Sequence, residues 1–511
     1  MSKFGKLLGF DAEAKQTSVR KEIIAGVVTF LAMCYILTVN PNQILYAGTA
    51  DARWSSLFIA TAFGAVIGTL LMAFLSKMPL AQASGMGLNS LVGSVIGGGV
   101  GAFAYGFKFT IGQAFMMVLI SGIVFLLLSV IKINGKTFRE LVFDGMPVAV
   151  RGAISVGIGL FIAYIGFQNA GIVVTNGYTQ VGFVDFTNWG DQTVNYLSAT
   201  GTWAAAKTAC VALIGVFLIA ILDKFNVKGS VIIGILGATV VGIPFGVTNL
   251  NVITGSVDGI SWKFWENYGN FFSVGDNSVF GSFASVFTEG FPAGSLFTVI
   301  MLIITMCMID MFDTMGTIVG CCGGNRILSD ENNKPHNYGQ IMISDAVATC
   351  AGAMLGTSTV TTFVESGAGV SAGGRTGLTA FTTACLFLLA TFALPFFAMI
   401  PSAATASALI YVGVLMMKNN VKSVDFSNAI NAVSAFLTIV VMVLSYSITK
   451  GIGIGMISYT LMSLVAYAVD MIVYACKKDK AAAEKPKFSV SIVAIVVTVL
   501  FLVYFFVPTV L

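Results

Sequence analysis

Residues 81–99 read AQASGMGLNSLVGSVIGGG, and residues 357–374 read TSTVTTFVESGAGVSAGG. Each follows an ordinary apolar helix, the first by way of Pro79. Each crowds small residues around one or two polar ones, Asn89 in the first and Glu365 in the second. The two segments lie about 275 residues apart, one in each half of the chain, and paired interrupted segments of this kind point to a transporter's binding site. Close helix packing also selects small residues, so the pattern alone leaves both readings standing.

The surrounding chain sets the solvent. Of 511 residues, 57% are hydrophobic and 10% are charged, against about 25% charged in a soluble domain. Apolar stretches long enough for a bilayer core recur near 23–41, 54–76, 110–132, 150–173, 204–222, 229–249, 293–320, 377–400, 402–418, 428–448 and 452–475. Shorter or glycine-broken segments lie near 84–99, 340–355 and 358–372. A last apolar run fills 488–511, which either crosses once more or lies against the bundle. The alternating ten-residue pattern of an outer-membrane barrel is absent. The expectation is an all-α integral membrane protein with 14 transmembrane segments. These form two inverted seven-helix repeats, 23–249 and 293–475, with two short interrupted half-helix segments and an extra C-terminal apolar segment. Residues 1–22 and 476–487 are cytoplasmic polar segments, and 250–292 is an outside loop.

Charge supports this topology. With the N-terminus inside, Arg53, Lys108, Lys207, Lys263 and Lys450 fall outside and the other 22 of the 27 Lys and Arg fall inside, as the positive-inside rule requires. The first span is long and no cleavage site follows it, so it is not a secretory signal. The basic residues follow topology and form no nucleic-acid patch. Eight cysteines lack metal-ligand spacing and read as packing residues. With one histidine, His336 in a polar loop, there is almost no material for a His-based catalytic or metal site. No phosphate-binding loop, zinc motif or nucleophile elbow appears. An enzyme is not expected, and no cofactor is.

Four carboxylates sit where they are expensive. A charge at mid-bilayer costs roughly 2.5–3.5 kcal/mol on insertion scales, which makes each a functional candidate. Asp310 and Asp313 lie in MIDMFDTMGT, three residues apart and so on one helical face. Either can instead be structural. Asp345, near the inside end of 340–355, can simply cap a helix. Glu365 sits among small residues that let a ligand approach, and Asn89 is its partner by position in the proposed repeat. An amide and a carboxylate in a glycine-lined cavity can read the edge of a planar polar ring, and a buried carboxylate can carry a coupled proton. Glu22, Asp144 and Asp470 lie near helix ends, where charges are cheap.

At these motifs the chain resembles the xanthine/uracil permease family of nucleobase–cation symporters, in particular its hypoxanthine/guanine/adenine branch. The stretches that carry the resemblance are KEIIAGVVTFLAMCYILTVNP (21–41), PLAQASGMGLNS (79–90), GLFIAYIGFQNAGIVV (159–174), DMFDTMGTIVG (310–320) and GTSTVTTFVESGAGVSAGGRTGLTA (356–380). The resemblance implies a core domain, the first four spans of each set, that slides against a gate domain of the last three. It implies that Glu365 bonds a purine, that Asp310 binds substrate or couples the proton, and that Asn89 with Gly87 shapes the third side. Asp313 belongs to the same network, and the proton is the coupling ion. It further implies a plasma-membrane location, a purine nucleobase as partner besides the lipid bilayer, and a homodimer as one possible assembly. The chain has Ala83-Ser84 where the family often has a proline before G-M-G-L-N.

Other cargoes remain open on the same fold: uracil, xanthine or an inorganic anion. An anion site would be lined with Lys, Arg or helix N-termini, and the carboxylates argue against it. A channel needs a continuous polar lining, whereas here the polar residues gather at one depth.

Overall fold

The computed structural model describes residues 5, 7–11, 13, 15–45, 51–96, 109–133, 136–137, 146–176, 180–187, 189, 205–227, 229–248, 250, 260–273, 278–292, 294–322, 327–329, 335–445, 448–476 and 490–506. The basic segment 477–487, Trp203 and the polar stretch 330–334 lie outside the described residues.

The apolar segments are helical. Among the described residues, eight helical stretches are long and apolar enough to cross a membrane: Val19–Leu45, Trp54–Ser76, Ile111–Val130, Val148–Asn169, Ala206–Lys224, Thr298–Met315, Gly377–Ala398 and Lys450–Cys476. Shorter apolar helices cover Ser230–Gly242, Ser402–Lys418, Ala429–Leu444 and Ile492–Val503. Large apolar side chains such as Leu296 (71%) and Leu444 (79%) are exposed. That is the surface lipid selects and water penalises.

The chain divides into two compact units. The first comprises residues 1–127 and 162–412, with residue 511. It opens with α1 (Val19–Met33) and α2 (Ile36–Leu45), a single span interrupted at Cys34–Tyr35. Next come α3 (Trp54–Leu71), strand β1 (Gln82–Ser84), α4 (Met86–Val95) and α5 (Ile111–Val130). The end of α6 (Val148–Asn169) belongs to this unit, and strands β4 (Val173–Asn176) and β5 (Gln180–Phe183) follow it as a hairpin; the rest of α6, and the hairpin of β2 (Lys132–Ile133) and β3 (Lys136–Thr137) before it, belong to the second unit. Then follow α7 (Ala205–Lys224), α8 (Ser230–Gly242), α9 (Phe264–Phe272), α10 (Val279–Glu289), α11 (Leu296–Cys322), α12 (Tyr338–Leu355), strand β6 (Val360–Thr362), α13 (Ser366–Ser371), α14 (Gly377–Ala390), α15 (Leu394–Ala398) and α16 (Ser402–Asn420).

The second unit comprises residues 128–161 and 413–510. It holds α17 (Ala429–Leu444), α18 (Ile448–Cys476) and α19 (Ile492–Phe506). Ala153, Val156, Val424 and Ala435 form its small core. The run 488–511 thus contains a helix, and α19 lies against α18, tied by a 2.8 Å hydroxyl contact between Thr460 and Thr498.

The broken segments and the loop 250–292 carry more structure than the sequence displays. The interrupted segments are not helical from the start: each is a three-residue strand followed by a short helix. The strands pair antiparallel, with Gln82 opposite Thr362, Ala83 opposite Thr361 and Ser84 opposite Val360. Two flanking bonds extend the ladder, Gly85 N–H to Thr359 O (2.9 Å) and Phe363 N–H to Ala81 O (3.0 Å). Extended backbone inside a membrane protein must be sealed by protein, and residues 82–84 and 357–362 are all buried. Threonine and valine suit a pleated surface, which is why TSTVTT extends. Gly356, at φ +89°, turns the chain out of α12 towards the strand. The loop 250–292 also holds regular structure. It contains α9 and α10, and Asn267 and Phe271 give α9 a buried side while Trp265 and Phe272 stay exposed.

Glu22 also differs from its expectation. It is fully buried near the start of α1 and accepts from Arg375 N (3.0 Å), Thr376 N (3.3 Å) and Thr379 Oγ1 (2.6 Å), which satisfies donors at the start of α14.

Candidate functional site

The strand pair is the centre of the site. Alternation along β1 and β6 puts Gln82, Ser84, Ser358, Val360 and Thr362 on one face. On that face α3 and α12 close in: a Cβ on Gly68 would lie 2.8 Å from both Gln82 Oε1 and Val360 Cγ1, so only glycine lets α3 approach.

Asp345, in the body of α12, clamps this face. Its Oδ1 accepts from Gln82 Nε2 (2.9 Å), Thr362 N (3.1 Å) and Thr362 Oγ1 (3.3 Å), and its Oδ2 accepts from Thr314 Oγ1 (2.6 Å) on α11. It is therefore a hub that joins both broken segments to two helices, and not a helix cap. One turn along, Thr349 Oγ1 donates to Asp310 Oδ2 (3.1 Å). The pairs Asp310–Thr349 and Thr314–Asp345 form a reciprocal ladder between α11 and α12, each partner four residues from the next. Both aspartates are fully buried. Asp313 is partly exposed, within electrostatic range of Asp345 and Glu365.

Glu365 stands where the chain turns into α13. The Tyr35 hydroxyl, at the break between α1 and α2, donates to its Oε1 in a short hydrogen bond and also meets Met86 Sδ at 3.6 Å. Glu365 Oε2 has no partner among the described residues, although the side chain is buried. Ser366 fixes the helix start by accepting from Ala81 N (3.0 Å) beside β1.

Asn89 lies one turn after Met86 on α4, on the same helical face. Its Oδ1 accepts from Ser358 Oγ in a short bond and lies 3.1 Å from Ser84 Oγ. Its Nδ2 is buried and has no partner among the described residues. Gly87 sits in the same first turn, buried. Met86, touched by Tyr35, connects the Asn89 face of α4 with Glu365. An amide nitrogen and a carboxylate oxygen, both buried and neither with a partner among the described residues, thus lie on two broken segments that Tyr35 links through Met86 and Glu365. Buried polar atoms are nearly always paired, so these two point to a ligand.

The structure therefore brings Glu365, Asn89 and Gly87 to the two broken segments. Asp310 packs into the α11–α12 ladder, where Thr349 donates to it. Reading the sequence for charges missed the neutral members: Tyr35, Asn40, Ser84, Thr357 and Ser358. The available signal was a phenol and an amide inside an apolar span, since each must find a partner when water is absent.

Comparison with known proteins now identifies the lineage. The family model for xanthine/uracil permeases, described as a permease family, matches residues 20–454. The chain belongs to the xanthine/uracil permease family. As a member it is a multi-pass membrane transporter and not an enzyme. It is 34% identical over 456 residues to putative permease MJ0326 of Methanocaldococcus jannaschii, covering 89% of this chain and 92% of that one. It is 34% identical to adenine permease AdeP of Escherichia coli, with 88% of each chain covered. It is 32% identical to guanine/hypoxanthine permease PbuO of Bacillus subtilis, covering 89% and 93%. Among solved structures, the transmembrane domain of the cyanobacterial bicarbonate transporter BicA superposes with a TM-score of 0.57 at 15% identity, covering 87% of this permease and 98% of that chain. SLC26A9 gives 0.51 at 12% identity, covering 92% and 69%. At such identities the likeness concerns the fold alone.

Proposed function

We propose that this permease imports purine nucleobases, namely adenine, guanine or hypoxanthine, by proton symport. Glu365 carries the reading. Tyr35 occupies Oε1, and Oε2 is left as a buried acceptor with no donor among the described residues. A purine offers ring N–H and amino donors to such an oxygen, whereas an inorganic anion would be repelled by it. Fold likeness to a bicarbonate transporter does not transfer that cargo, because function belongs to the site. The names of AdeP and PbuO, adenine and guanine/hypoxanthine permeases, support a purine for a chain about one third identical to them.

In this reading Glu365, Asp310, Asn89 and Gly87 bind the base, and Asp310, Asp313 and Glu365 handle the proton. Fourteen spans form two inverted sets of seven. The antiparallel pairing of β1 with β6, one from each half, is what an inverted repeat generates at its axis and supports that arrangement. A core carrying the site slides against a gate, as in an elevator. The permease resides in the plasma membrane with its N-terminus inside. Uptake of labelled hypoxanthine in cells without their own purine carriers tests the cargo. Accumulation that a protonophore collapses supports symport, and accumulation unchanged by the protonophore refutes it.

A further inference from the structure

We infer that a chain of neutral side chains fixes the amide of Asn89 with its oxygen turned into the protein and its NH2 turned to the ligand, so that the site offers one donor beside the Glu365 acceptor. The inference rests on the purine reading above and adds the polarity of the ligand edge that the site accepts.

Thr61 Oγ1 donates to Leu57 O at 2.6 Å, which uses its only proton. Its contact with Asn40 at 2.7 Å must therefore have Asn40 Nδ2 as donor. The same nitrogen donates to Thr357 Oγ1 at 2.9 Å. Thr357 then has a proton to give, and Ser84 Oγ stands 3.2 Å away. Ser84 meets Ser358 Oγ at 2.6 Å, and Ser358 bonds the inward atom of Asn89. Run in this direction, from Asn40 through Thr357, Ser84 and Ser358, every proton has an acceptor if that inward atom is the amide oxygen. With the amide reversed, Asn89 donates into the serines and one hydroxyl proton of the chain is left without an acceptor. All these residues are fully buried, so no water relieves the mismatch, and an unsatisfied buried donor is costly. The outward atom is then Nδ2, the one without a partner.

The site thus presents Asn89 as a donor and Glu365 Oε2 as an acceptor. A ligand that fits must carry a ring-nitrogen or carbonyl acceptor together with an N–H donor. Hypoxanthine, guanine and adenine all do. Asn40, Thr357, Ser84 and Ser358 act as positioning residues in this scheme.

The test measures competition against labelled hypoxanthine by purine and by 3-deaza-, 7-deaza- and 9-deazahypoxanthine, which between them remove each acceptor of the base. In the wild-type permease at least one analogue should compete about tenfold or more weakly than hypoxanthine, because it leaves the Asn89 donor unpaired. In the Ser84→Ala/Ser358→Ala double variant the amide is released. That ratio should fall towards one and KM should rise, with Vmax per carrier at the membrane retained. Ser358→Thr keeps a hydroxyl and should keep the wild-type ratio. Asn40→Asp replaces the anchoring donor by an acceptor without touching either serine and should also collapse it. A wild-type ratio in both the double variant and Asn40→Asp overturns the inference, as does a wild-type permease that discriminates against none of the analogues. Absence of hypoxanthine uptake by the wild type refutes instead the purine reading on which it rests.

Discussion

Replacing Tyr35 by phenylalanine removes one oxygen from the site and leaves the ring packing in place. That hydroxyl donates to Glu365 Oε1 and holds it, which leaves Oε2 for the ligand in the proposed site. A hydrogen bond to a charged group contributes about 1.5–3 kcal/mol. At about 1.4 kcal/mol per decade, its loss sets a ceiling of roughly 10- to 100-fold on affinity. The measured change falls below that ceiling to the extent that the unliganded variant also relaxes, since a carboxylate without its donor rotates to find another partner. The assay is initial-rate uptake of labelled hypoxanthine over a concentration series, with carrier at the membrane quantified in parallel. The expected result is a KM raised about tenfold with normal expression. A Tyr35→Phe permease with KM within twofold of wild type would show that the hydroxyl does not orient Glu365.

Other consequences follow from the same geometry. Glu365→Gln keeps shape and removes the charge; it should abolish or strongly reduce uptake while the protein remains folded in detergent, and normal uptake would remove Glu365 from the site. Asp345→Ala leaves Gln82, Thr314 and the Thr362 N–H without their acceptor. At about 1–3 kcal/mol for each unsatisfied donor, it should lower the melting temperature far more than Asp345→Asn, and equal melting would refute the hub. Gly369→Ala would drive a Cβ to 1.9 Å from Thr29 Oγ1 and 2.9 Å from Ala25 O, between α13 and α1. Overpacking of this kind costs typically 1–3 kcal/mol, read as a lower melting temperature, and a variant as stable as wild type would show that α13 can move aside.

The spans were legible because lipid admits few solutions: apolar runs must become helices, and each long run did. The broken segments were legible through Pro79 and the glycines. Their pairing was not, because three residues are too few to display an alternation and the partner strand is far away in sequence. The β-branched run Thr359–Val360–Thr361–Thr362 carried a hint of extension that the apolar context masked. Within the site, Glu365 and Asn89 were visible as polar residues among small ones. Tyr35 and the hydroxyl chain were not, because neutral groups cost less to bury than charges and attract less notice in an apolar span. Asp345 looked like a helix cap because sequence shows only its own helix, while the four bonds described above come from residues beyond α12, on β1, β6 and α11.

Competition for uptake tests the central claim most directly. Cells lacking their own purine carriers, expressing this permease, take up labelled hypoxanthine in the presence of excess adenine, guanine, xanthine or uracil. The account predicts saturable uptake that at least one of adenine and guanine suppresses and that Glu365→Gln eliminates. Uptake no greater than in cells without the permease, with the protein present at the membrane, would contradict it.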